Sequence, residues 1–147
     1  MKTSGGLWLL WLAMLALLAV TAAAPFLIGP TQTPYSDAGT SVLAFVLSLF
    51  AMTAGVGSLA VRESLVRGVW AGAVDPRTPQ GGTRVLRDLL GAWVLCLIVG
   101  GLGSILAWAS GRPTLGWPYL LAAAALLVFH APRAVIFGRA RSDTTAH

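Results

Sequence analysis

The stretch RESLVRGVWAGAVDPRTPQGGTRVLRD, residues 62–88, holds eight of the chain's fifteen charged residues: Arg62, Glu63, Arg67, Asp75, Arg77, Arg84, Arg87 and Asp88. Long apolar blocks flank it on both sides. Charge is absent from 3–36, 38–61, 89–111 and 113–132, runs of 34, 24, 23 and 20 residues. A helix needs about 20 apolar residues to cross a hydrocarbon core of ~30 Å. All four runs are long enough. A backbone in lipid must satisfy its own hydrogen bonds, and a barrel would show short alternating segments, so these runs read as helices. The expected fold is all-α: an antiparallel four-helix transmembrane bundle forming one domain over residues 1–147, with a cytoplasmic loop at 62–88.

Composition agrees. Of 147 residues, 56% are hydrophobic and 10% charged, far from the balance of a water-soluble domain. The net charge of +5 sits on arginines near helix ends, which points to topology and away from nucleic acid. Placing the amino terminus, the 62–88 loop and the tail on one side puts nine basic residues there against Arg112 alone on the other. The positive-inside rule makes that first side cytoplasmic, with both termini inside a plasma membrane of bacterial inner-membrane type.

The first span is expected at about 7–28. It has the outline of a signal peptide, but Pro25 would follow an Ala22-x-Ala24 cleavage site directly and apolar character resumes through Ile28, so an uncleaved helix bent near Pro25 is expected. A proline-broken loop leads to Ser36 or Asp37 as the cap of a second span at 38–61. Ala51 with Gly55 and Ala54 with Ser58 form small-residue pairs at four-residue spacing, which permit close helix approach.

Beyond Arg62, one half of a helical wheel carries Leu65, Val66, Val69, Trp70, Ala73 and Val74. This predicts an amphipathic extension lying along the interface, with Glu63 and Arg67 paired at i, i+4; a straight stub is the alternative. Residues 75–82 then read as a proline-glycine turn, and Thr83 as the cap of a third span at 89–111. That span has the densest small-residue pattern: Gly103, Ala107 and Gly111 at four-residue intervals, and Gly100 with Ser104. A fourth span is expected at about 115–137, with Pro132 and Arg133 near its inner end. Arg67, Trp70, Arg77, Arg84 and Arg87 are the candidate contacts for a cytoplasmic partner or lipid.

The inventory of reactive groups argues against several chemistries. No carboxylate lies within a span, as a small four-helix cation exporter would require. Cys96 has no second cysteine, and His130 and His147 do not form a facing pair for haem or a metal cluster. His130 reads as an interfacial anchor beside Arg133, Cys96 as a small packing residue, and Trp8, Trp11, Trp93, Trp108 and Trp117 as interfacial belts. No catalytic, cofactor-binding or metal-binding residue is assigned.

Gly55-Val56-Gly57, the polar stretch with Asp75-Pro76, and Leu95 to Leu102 together resemble the helical hairpin of rotary ATP synthase proteolipid subunits, over about half the chain. Those proteolipids carry an ion-binding carboxylate in the second hairpin helix. Here that neighbourhood, Leu95 and Cys96, is apolar, so the resemblance implies a related hairpin shape and argues against ion translocation. The expected function is that of a noncatalytic integral membrane protein, an accessory or assembly subunit in contact with the lipid bilayer and with a second copy or a larger membrane partner. A small transporter or channel component is the alternative.

Overall fold

The structure is a computed structural model that describes residues 3–29, 36–76 and 78–132. The described residues form helices and turns, with no strand. They comprise α1 (Thr3–Ile28), α2 (Asp37–Trp70), α3 (Pro79–Ser110), a 3-10 turn (Pro113–Leu115) and α4 (Trp117–Phe129). Of these, α1, α2 and α3 are long and apolar enough to cross a membrane. α3 is the hub, packing against each of the other three helices.

α1 runs unbroken through Pro25. Proline has no N–H to offer the carbonyl four residues earlier, so the Thr21 carbonyl loses its helical partner. The Ser104 hydroxyl of α3 takes that place, donating to Thr21 O at 2.7 Å. A neighbouring helix thus satisfies the group that proline frees, which lets the helix continue in an apolar setting.

The connection between α2 and α3 is shorter than the loop expected at 62–88: residues 62–70 continue α2, as their apolar half-wheel implies, and 79–88 begin α3. At a rise of about 1.5 Å per residue, the 34 residues of α2 and the 32 of α3 are each roughly 50 Å long, some 20 Å more than a hydrocarbon core. The excess carries the charges. Arg62, Glu63 and Arg67 lie in the last turns of α2, and Arg84, Arg87 and Asp88 in the first turns of α3. Only residues 71–78 connect the two helices.

Two expectations fail here for identifiable reasons. Pro79 does not end a helix; it starts one, because a first-turn residue has no carbonyl partner for its N–H. Thr78 is the cap, its hydroxyl accepting from Gly81 N at 3.1 Å, whereas Thr83 lies inside the helix and donates to Pro79 O. The amphipathic end of α2 also does not turn aside to lie on an interface. Leu65 and Val74 are buried in one cluster with Val85 and Leu89 of α3, so the apolar half-wheel is largely consumed by intramolecular packing. Trp70 and Ala73 stay exposed.

At the other end, Ser36 caps α2 by accepting from Gly39 N at 3.2 Å, and Asp37 pairs with Arg112, just past α3, at 3.0 Å. α4 has 13 residues and is about 20 Å long. It stops short of the expected 115–137 span because Pro132 biases its predecessor away from helical geometry; His130 is the cap. Residues 133–137 lie outside the described residues.

Candidate functional site

The carbonyls at the end of a helix have no partners within it, and an end inside a protein must find them elsewhere. At the end of α4 three side chains serve carbonyls, two from other helices and one from the cap of α4 itself. Ala131 N turns back to Val128 O, which leaves Leu127 O without the next helical donor. The Trp11 indole of α1 donates to it at 2.9 Å. The Trp93 indole of α3 donates to His130 O at 3.1 Å. The His130 ring faces Leu126 O through Nδ1 at 2.6 Å and Ser58 O of α2 through Nε2 at 3.1 Å. A ring N–H donates to at least one of these carbonyls, and an imidazolium would donate to both. All four helices therefore meet at the α4 terminus.

The surroundings are closed. Trp93 and Cys96 are 0% exposed and His130 1%. His130 is therefore not an interfacial anchor and Trp93 not a belt residue. The belt reading fails because an indole suits a membrane interface and a buried carbonyl partner equally well, and sequence does not separate the two. Trp8, Trp108 and Trp117 remain exposed. The Arg62 guanidinium lies 4.2 Å from the centre of the Phe129 ring, a cation–π contact between α2 and the end of α4. Both Arg62 and the imidazole lie where the helix dipole places partial negative charge.

A second polar contact ties α4 to α2 at the opposite end of α4. Tyr119 OH lies 2.7 Å from Ser48 Oγ and donates to Ala44 O at 3.2 Å. Tyr119 was not among the sequence candidates. The available signal was Ser48, a hydroxyl in an otherwise apolar run that needs a partner.

The small-residue positions divide by role. Gly100, Gly103 and Ala107 are buried on α3. A methyl group at Gly103 would sit 2.5 Å from Tyr119 Cβ and 2.9 Å from Gly116 O, so α3 and α4 touch backbone to backbone there. Gly116, the reciprocal partner, was not among the sequence candidates. A methyl at Gly100 would strike the Leu18 side chain of α1 and lie 3.3 Å from Ala123 Cβ of α4. Ser104 serves the Thr21 carbonyl. Gly111 is the cap of α3, at φ 63°, a left-handed conformation that glycine adopts without a Cβ penalty. On α2, Ala54 and Ser58 are buried and Ala51 and Gly55 half-buried, with a Gly55 methyl at ordinary contact distance, 3.7 Å, from Leu126.

The charged candidates lie apart from this buried tier. Arg67 Nε pairs with Glu63 Oε1 at 2.8 Å on the exposed side of α2. Arg84 and Arg87 line a groove between α2 and α3 with Ala60, Val61, Ser64, Gln80, Thr83 and Asp88. Arg77 lies outside the described residues. Among the described residues, no group of three or more His, Cys, Asp or Glu side chains is gathered as a metal would need. Compared with known proteins, the chain matches no family model, no curated protein and no solved structure.

Proposed function

We propose that the chain is a noncatalytic integral membrane protein, an accessory or assembly subunit that packs with a second copy or a larger membrane partner. One observation carries the reading: polar groups inside the bundle bind the helices to one another. Trp11, Trp93, His130, Ser104 and Tyr119 each reach a backbone carbonyl of another segment. What faces outward is apolar. α2 exposes Val42, Phe45, Leu49, Met52 and Val56, and α1 exposes Leu9, Leu12 and Val20. Such faces suit lipid or the helices of a partner.

In this reading the helices form an antiparallel four-helix bundle with both termini cytoplasmic, in a bacterial-type inner membrane. The end-to-end contacts support it. The start of α2 meets the end of α3 through Asp37 and Arg112, the start of α4 meets the first half of α2 through Tyr119 and Ser48, and Trp11 near the start of α1 meets the end of α4. The basic residues near the α2–α3 connection favour an inside location for that end. A reporter fused after His147 tests the orientation: one that works only after export is expected to stay silent, and its activity would overturn the topology.

The functional reading is tested by gentle detergent extraction and intact-complex mass spectrometry. A species heavier than the 15.3 kDa chain, containing either further copies or a second membrane protein, is expected. A monomer under every mild condition, or purified protein that moves a solute across liposomes alone, would overturn it.

A further inference from the structure

The ends of α2 and α3 enclose a groove of about 700 Å³ whose two walls differ in chemistry. Ala60, Val61 and Ser64 form the α2 wall; Gln80, Thr83, Arg84, Arg87 and Asp88 form the α3 wall. We propose that this groove binds the headgroup of an anionic phospholipid, with Arg84 and Arg87 on the phosphate and the acyl chains leaving over Ala60 and Val61. The inference rests on the membrane reading of the helices and goes beyond it by assigning a site.

Position argues for a lipid over a soluble anion. The groove straddles the boundary where charge stops: Val61 is the last residue of the charge-free run of α2, and Asp88 directly precedes that of α3. Below Ala60 the outward face of α2 continues through the exposed Leu59 and Val56. A ligand seated here meets cations at one end and an apolar surface at the other, which matches a headgroup joined to hydrocarbon chains.

The polar wall suits a phosphate. Arg84 and Arg87 are one helical turn apart and share a side of α3. Guanidinium groups bind phosphate through paired N–H donors, and Ser64 and Gln80 add neutral hydrogen-bonding groups. Asp88 lies 4.0 Å from Arg87 and is mostly buried, while Arg87 is exposed. One net positive charge remains in the groove, so a singly charged phosphodiester balances it. Arg67, engaged by Glu63 on α2, is not part of the wall.

The test uses the full chain purified in mild detergent and titrated with phosphatidylglycerol or phosphatidylcholine, counting bound lipids by intact mass spectrometry. Phosphatidylglycerol is expected to bind preferentially. Replacing both Arg84→Gln and Arg87→Gln should weaken it by about tenfold or more, given roughly 1 kcal/mol per basic residue at an anionic surface. Arg84→Lys with Arg87→Lys should keep most of the binding, and Arg67→Gln all of it; circular dichroism and a single gel-filtration peak establish that each variant is folded. Equal binding of the two lipids, no loss in the folded double glutamine variant, or displacement by millimolar inorganic phosphate or by polyglutamate would overturn the proposal. Failure of the chain to stay in membranes after alkaline washing would instead overturn the membrane reading beneath it.

Discussion

In its first half α3 packs through Val85, Leu89 and Trp93, bulky side chains that are almost wholly buried, whereas in its second half the buried positions include Gly100, Gly103 and Ala107. The same helix thus meets its neighbours through large side chains in its first half, whereas in its second half, beside the buried Val99 and Leu106, it comes to backbone contact with the start of α4. In the membrane setting proposed above, solvent accounts for the difference. The first half begins among charges, where removing large apolar groups from water is favourable. Deep in an apolar run, lipid is as good a solvent for leucine as a protein interior, and helices gain instead from close van der Waals contact between small residues and from hydrogen bonds.

The largest effect is expected for Trp93→Ala. It removes a fully buried indole and leaves His130 O without its donor, at a cost of about 3–5 kcal/mol in thermal or denaturant unfolding in micelles. A loss under ~1 kcal/mol would mean the first half is not packed as described.

Gly103→Ala breaks the comparison from the other side. The added methyl has no room against Tyr119 and Gly116, and overpacking should cost about 1–3 kcal/mol. Gly101→Ala, with nothing within 4 Å of the new methyl, is the control; it should be neutral or more stable by up to ~1 kcal/mol from helix propensity. Equal behaviour of the two variants would remove the case for a close α3–α4 contact.

Ser104→Ala should cost about 0.6 kcal/mol and at most ~1.7 kcal/mol, the average and the maximum for hydrogen bonds between membrane helices. Pro25→Ala sharpens this, because it restores an N–H four residues after Thr21. In that background Ser104→Ala should cost less, and additive effects in the double-mutant cycle would show that the two residues do not share the Thr21 carbonyl. Asp37→Asn should have the smallest effect, within ~1 kcal/mol, since its pair with Arg112 is exposed on both sides.

The apolar runs made three long helices legible, because length and absence of charge are local properties. The spacing of Gly100, Gly103 and Ala107 was legible for the same reason. The helical course of residues 62–70 was legible in its apolar half-wheel, whereas that of 79–88 was harder to read, since proline and glycine mark both the end of one helix and the first turn of another. Pro79 serves the second role only because Thr78 caps it. The buried tier could not be read locally. Trp11 and Leu127 are 116 residues apart, and Trp93 and His130 37 apart. Nothing in either neighbourhood says that an indole faces a helix terminus and not a headgroup.

The claim that outward apolar faces serve association is tested most directly by cross-linking in the native membrane. Cysteine would be placed singly at Phe45 or Met52 on the exposed face of α2 and at Ala54 on its buried face, in a Cys96→Ala background. The account predicts covalent adducts with a second copy or a distinct membrane protein from Phe45→Cys or Met52→Cys and none from Ala54→Cys. Adducts from Ala54→Cys alone, or none from any outward position, would contradict it.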